Sequence, residues 1–361
     1  MGLVVGGSAL SKGGRALASQ ALKPIEDDPM WTRQDKAFAP SDVVEETILN
    51  KKLPASLRIA LALVLLVLYS PSGWPEFTRD YLDQHPMQVV DANGVEIAYR
   101  RIGPIDAETA VLVMGLGASH TVWGDAFVRG IIASGFQVLL IDNRDTGGSI
   151  RYAETDNPVL WWQLLKYRVG LPVSTTYRLD DMADDVVRVM DAVGVDKAHL
   201  IGASMGGMIA QVVAANYPGR TQTLVSIMSS TWGDHLPEPG RESAAAIRDI
   251  ADNKQAVQQR AEFMRRMGFH REAIPRQVMA ILRAGDRSES VSSIKAPTLV
   301  IHGRDDRLLT FEHGVHTAEV IPGAKLIIYD GMGHNIPDAV RPEMLREIGV
   351  WLTANPIRSN R

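Results

Sequence analysis

The chain contains no cysteine, which excludes disulfides, thiolate catalysis and cysteine-ligated metals and leaves the redox compartment open. It also lacks any block of like charge. Its 38 basic and 42 acidic residues are interspersed and give a net charge of −4, so there is no basic face for a phosphate backbone and nucleic acid is not an expected partner. No stretch reaches the roughly 20 apolar residues that a membrane span requires. The nearest, Ile59 to Tyr69, is closed off by Arg58 and Pro71; it is read as a buried helix or a peripheral contact with a membrane surface. The Gly-, Ala- and Ser-rich start lacks the charged end and long apolar centre of a secretory leader, so a cytoplasmic location is expected, with any membrane association running through this extension.

Two cofactor signatures are incomplete. His313 and His316 lack the acidic second residue of H-E-x-x-H, and no metal site is expected there or elsewhere. Gly115 and Gly117 begin a G-x-G-x-x-G pattern, but His120 stands where its third glycine belongs. That side chain blocks the close helix approach a dinucleotide needs, so no cofactor is expected.

What is present has a clear order. The 361 residues suffice for one large α/β domain with additions. Residues 1–85 differ in texture and form an N-terminal extension; residues 86–361 are the expected catalytic domain. Met87–Val90 and Val95–Arg101 flank Asn93-Gly94, the pattern of a tight hairpin. Strands at Ala110–Met114, Gln137–Ile141, Ala198–Ile201, Thr223–Met228, Thr298–His302 and Leu326–Tyr329 then alternate with helical patterns, including Thr121–Ser134, Leu179–Val193 and Met205–Asn216. Such alternation implies a mostly parallel sheet covered on both faces. Two insertions, 151–178 and 231–293, leave from the carboxyl ends of strands, where open sheets bind ligands. They are expected to form a helical lid, with Trp161 and Trp162 in the first and Trp232 in the second; together with Trp123 these are the candidate pocket residues.

One serine sits at the junction of a strand period and a helix period. Gly202-Ala203-Ser204-Met205-Gly206 has the form G-x-S-x-G, in which small residues two before and two after the serine let strand and helix backbones converge. A serine hydroxyl needs a base. Of the nine histidines, His334 is chosen because Gly331-Met332-Gly333-His334 follows the last strand at the sheet edge where the serine emerges. The base in turn needs a carboxylate to fix its tautomer. Asp306, three residues beyond Gly303, is favoured over the adjacent Asp305; the one not used is expected to pair with Arg304 or Arg307 or to face water. The backbone N–H groups of Leu116 and Met205 are the candidate oxyanion donors.

From about Ala110 to Leu352 the chain resembles the α/β-hydrolase superfamily, and within it serine esterases similar to aclacinomycin methylesterase. The resemblance is carried by Met114-Gly115-Leu116-Gly117, Asp142-Asn143-Arg144-Asp145-Thr146-Gly147-Gly148-Ser149, Leu179-Asp180-Asp181-Met182-Ala183, the serine turn, Gly303-x-x-Asp306 and Gly333-His334. It implies that the Asp142–Ser149 loop is structural, with Arg144 paired locally, and that the substrate is a small hydrophobic ester. Serine in place of a carboxylate nucleophile argues against epoxide hydrolases and haloalkane dehalogenases. Lactonase, carbon–carbon bond hydrolase and perhydrolase activities on the same residues stay open, as does a non-catalytic binder of this fold. The first eighty-odd residues have no counterpart in the resemblance, and Met114 stands where many relatives have His.

Overall fold

Asn-Gly turns favour positive φ, and the hairpin they predict opens the sheet. In the computed structural model, which describes residues 78–92, 94–153, 158–237, 262 and 264–357, β1 (Gln88–Asp91) pairs antiparallel with β2 (Glu96–Ile102), Val90 opposite Ile97. Gly94 takes a φ of 84° at the turn. The remaining strands are β3 (Thr109–Val113), β4 (Gln137–Ile141), β5 (Ala198–Ala203), β6 (Thr221–Ile227), β7 (Thr298–Gly303) and β8 (Lys325–Tyr329). They build one eight-stranded sheet in the order β1-β2-β4-β3-β5-β6-β7-β8. From β4 to β8 every pairing is parallel.

Strands β3, β4, β5 and β7 are buried along their whole length, as their continuous apolar runs require, while β8 at the sheet edge is half-buried. Along β3, Val111 and Val113 enter one core cluster and Leu112 the other, the alternation imposed by the pleat. Helices α4 (Leu179–Ala192) and α5 (Met205–Asn216) cover the first face through Met182, Val186, Met208 and Ile209. On the opposite face lie α2 (Gly124–Ala133) and α9 (Arg341–Ala354), which contribute Phe127, Ile131, Met344 and Ile348. The other helices are α1 (Asp80–Asp83), α3 (Leu160–Arg168), α6 (Ile274–Ala284), α7 (Ser288–Ser292) and α8 (Phe311–Val320).

Three details depart from the sequence reading. The helix expected over Thr121–Ser134 is broken: a 3-10 turn at His120–Trp123 ends where Gly124 takes a φ of 69°, and α2 starts there. Helix α1, assigned to the extension, docks on α2. Leu82 is fully buried, the N–H groups of Tyr81 and Leu82 donate to Asp125 at 3.0 Å each, and Arg100 caps the carbonyls of Leu82 and His85. Much of the described second insertion is core: on α6, Ile274, Val278, Met279, Ile281 and Leu282 are all buried. The apolar segment 59–69 lies outside the described residues. No helix among the described residues is long and apolar enough to cross a membrane.

Candidate active site

A strand that becomes a helix within one residue forces that residue out of both conformations. Strand β5 ends at Ala203 and α5 begins at Met205, so Ser204 alone makes the turn, at φ 55° and ψ −123°. Such a conformation costs a non-glycine residue on the order of 1–3 kcal/mol and persists only where its surroundings impose it. Here they do. The Ser204 N–H donates to Ile227 in β6 at 2.9 Å, while its carbonyl accepts from the Ser229 hydroxyl at 2.8 Å and from the Gly207 N–H at 2.9 Å. A side chain at Gly202 would run into the Gly206 carbonyl, and one at Gly206 into the Val113 carbonyl. Backbone cannot yield as a side-chain tip would, so both positions are confined to glycine.

Residues following β5, β7 and β8 share one sheet edge, and there the structure joins three side chains. His334 Nε2 lies 2.9 Å from Ser204 Oγ, and His334 Nδ1 lies 2.7 Å from Asp306 Oδ2. The other oxygen, Asp306 Oδ1, accepts the N–H groups of Leu308 and Leu309 at 2.9 and 3.0 Å. Burial pushes the Asp306 carboxyl upward, but the His334 charge, the neighbouring His302 ring and the hydrogen bond from His334 hold it well below the usual carboxylate range. With Asp306 ionised, the neutral His334 carries its proton on Nδ1 and presents the Nε2 lone pair to the serine hydroxyl.

The neighbouring aspartate behaves otherwise. Asp305 is exposed, and its Oδ2 accepts the N–H of Gly331 at 2.8 Å, while Asp305 N–H donates to Met332 O at 3.0 Å. It faces water, as one of the expected outcomes had it, and pins the loop that carries His334, while Arg304 pairs with Asp330. Sequence reading missed His302. Its Nε2 donates to Leu309 O at 2.7 Å and lies 3.4 Å from Asp306 Oδ2, so a second imidazole backs the carboxylate from the core. Its place four residues before Asp306 was the available signal.

The loop after β3 runs beside the serine: a side chain at Gly115 would meet Ser204 Cβ at 2.9 Å. Among the described residues none accepts a hydrogen bond from the N–H of Leu116 or Met205, and the latter belongs to the first turn of α5, where helix N–H groups have no internal partner. Four tryptophans were singled out for the pocket. Trp123 and Trp232 are buried, each with an indole N–H that has no acceptor among the described residues, and Trp123 stacks on Phe127 with ring centres 4.6 Å apart. Trp162 is 45% exposed, and the side chain of Trp161 lies outside what is described.

The Asp142–Ser149 loop is built on buried ions. Asp142 accepts the N–H and Nδ1 of His120 at 2.7 Å each and the N–H of Gly148 at 2.9 Å. Burial raises its carboxyl, yet the His120 charge and these bonds leave it below its ordinary value. Arg144 does not pair locally: it grips Asp185 of α4 with two bonds of 2.8 Å. Asp145, at φ 71°, is held by Arg276 of α6 at 2.8 and 2.9 Å and by the Tyr177 hydroxyl at 2.6 Å. No group of three or more residues able to hold a metal ion occurs among the described residues.

This sheet order, with a serine raised at the β5–α5 junction, is that of the α/β hydrolases, and the family model described as alpha/beta hydrolase fold matches residues 111–261. The chain has the α/β-hydrolase fold and resembles esterases of that fold. It is 26% identical to rhodomycin D methylesterase DauP of Streptomyces sp. (strain C5) over 309 residues, covering 73% of this chain and 97% of the relative. It is 29% identical over 272 residues to the 2-hydroxy-6-oxononadienedioate/2-hydroxy-6-oxononatrienedioate hydrolase of Burkholderia vietnamiensis (strain G4 / LMG 22486), covering 68% and 87%. In fold it is similar to the esterase RhEst1 from Rhodococcus sp. ECU1013, with a TM-score of 0.57, 21% identity and coverage of 75% and 99%.

Proposed function

We propose that the protein cleaves the carboxylic ester of a fairly hydrophobic small molecule through an acyl-enzyme on Ser204. One observation carries the reading: the unbroken line of hydrogen bonds from Ser204 Oγ through the His334 ring to Asp306. As Oγ attacks the carbonyl carbon, His334 Nε2 takes the hydroxyl proton, and Asp306 stabilises the imidazolium that forms. The carbonyl oxygen becomes an oxyanion and receives hydrogen bonds from the N–H groups of Leu116 and Met205. Collapse of the tetrahedral intermediate expels the alkoxide, which leaves with the proton from His334. Water then attacks the acyl-serine with His334 as base, releasing the acid and restoring the hydroxyl. The methylesterase relative supports methyl esters as the first substrates to try.

The Burkholderia relative favours a second reading, hydrolysis of a carbon–carbon bond on the same residues. A fluorophosphonate probe tests the shared step: an adduct on Ser204 that disappears in Ser204→Ala supports both readings, and no labelling of the folded chain at neutral pH refutes both. Turnover of p-nitrophenyl esters of graded length, bulky methyl esters, lactones and 2-hydroxy-6-oxo-dienoates then separates them. Esters should be the best substrates; a preference of more than tenfold in kcat/KM for the dienoates would overturn the ester reading.

A further inference from the structure

We infer that Gln277, on α6, is a positioning residue for the oxyanion site, fixing the turn that aims the Leu116 N–H at the substrate oxygen. This rests on the ester-hydrolase reading given above and deepens it. The loop Gly115–Ala118 has the form of a β-turn closed by Ala118 N–H to Gly115 O at 3.2 Å, with Gly117 at φ 65° in its third position. Positive φ at that position is the mark of the type II form. In a trans peptide the N–H points opposite to the C=O. Anchoring Gly115 O by Ala118 therefore aims the Leu116 N–H away from the turn.

The weak point of such a turn is its central peptide, between Leu116 and Gly117, because a type I turn differs mainly by a flip of that unit. Gln277 sits at that peptide. Its Oε1 accepts the Gly117 N–H at 2.6 Å, and its Nε2 donates to Arg144 O at 3.1 Å, which fixes which end of the amide faces the turn. The side chain is fully buried, so no water competes for either bond. The same stretch of chain grips the loop at three further points: His270 N–H donates to Gly117 O at 2.6 Å, Ser119 N–H to Gly268 O at 2.9 Å, and Ala118 bridges Phe269. Across 160 positions of sequence, the second insertion thus supplies the outer wall of the oxyanion turn. Without Gln277 the central N–H is left buried and unpaired, and the turn that aims the Leu116 N–H loses the bond that ties its central peptide to α6.

Gln277→Met keeps the length of the side chain and removes both bonds. The expected result is a fall in kcat of about 10- to 100-fold with KM within about threefold, since a donor misplaced by about 1 Å weakens the transition state and not the ground state. The affinity of a trifluoromethyl ketone, which forms an oxyanion adduct on Ser204, should fall by the same factor as kcat/KM. Gln277→Glu keeps the acceptor for Gly117 N–H and should retain at least fivefold more kcat than the Met variant. It decides the matter alone if the Met variant does not fold, a folded Glu variant with more than tenfold lower kcat than wild type counting against the inference. If the wild-type chain fails to label at Ser204, the parent reading and this one fall together. If it labels, but Gln277→Met leaves kcat and ketone affinity within threefold of wild type, only the role of Gln277 is refuted.

Discussion

Asp306→Asn changes one atom, and the backbone around it decides where that atom goes. Asp306 Oδ1 accepts two N–H groups, from Leu308 and Leu309, so the amide oxygen of an asparagine must occupy that site. Its NH2 group is then forced to face His334 Nδ1, where Oδ2 now lies at 2.7 Å. An NH2 can only donate, so the imidazole must place its own proton on Nε2. That nitrogen faces the serine hydroxyl at 2.9 Å and can no longer accept its proton. The substitution therefore preserves shape and inverts the tautomer, which costs about 10⁴-fold in kcat, or about 5.4 kcal/mol at 1.36 kcal/mol per tenfold. Hydrolysis of a saturating p-nitrophenyl ester reads this directly, with the rate of fluorophosphonate labelling as a second measure. Asp305→Asn provides the control: an amide oxygen can still accept the Gly331 N–H, and kcat should stay within about threefold. An Asp306→Asn protein keeping more than a tenth of the wild-type kcat would refute the reasoning about the backbone donors.

Other perturbations probe the fold beneath the site. Arg276→Met leaves the buried Asp145 carboxylate with the Tyr177 hydroxyl but no cation; the expected loss is about 3–5 kcal/mol in urea unfolding, partly recovered by adding Asp145→Asn, and a loss under about 1 kcal/mol would speak against the pairing. Leu82→Ala should cost about 2–5 kcal/mol, because this side chain is fully buried against the catalytic domain although it precedes the hairpin; an unchanged unfolding midpoint would show that α1 is not part of the folded unit. Acid stability follows from Asp306, whose folded value lies below the unfolded value of 3.8. A depressed carboxylate stabilises the fold above the unfolded value and loses that contribution as pH falls through it toward the folded one. The stability gap between wild type and Asp306→Asn should therefore shrink below about pH 4; a gap that widens there would contradict the sign.

The sheet was legible because it is periodic. Apolar runs, an Asn-Gly turn and a glycine-spaced serine are local signals, and each of Ser204, Asp306 and His334 follows the end of a strand, so their arrival at one edge follows from parallel topology. The residues that support them left no such trace. Arg144 reaches Asp185 across 41 positions, Arg276 reaches Asp145 across 131, and Gln277 reaches Gly117 across 160. Nothing in their spacing marks such pairs, since their partners are set by how α4 and the second insertion pack. Gly124 misled for the opposite reason: the apolar spacing around it continues as a helix should, while its own φ of 69° breaks the helix.

Why so many ions lie beneath the site follows from the backbone there. At the carboxyl ends of β3 and β4 the chain leaves the ladder and enters irregular loops, whose N–H groups are buried and must still be paired. Carboxylates meet that need, since each offers two oxygens with several lone pairs. Asp142 serves the N–H groups of His120 and Gly148, and Asp145 serves that of Tyr152. A buried carboxylate in turn needs a cation or strong donors, and His120, Arg276 and Tyr177 fill that role. Replacing such pairs with apolar residues can raise stability in a regular core, but here it would strand the loop N–H groups that the carboxylates accept. The ionic layer is thus the structural consequence of holding irregular loops at the carboxyl end of a parallel sheet.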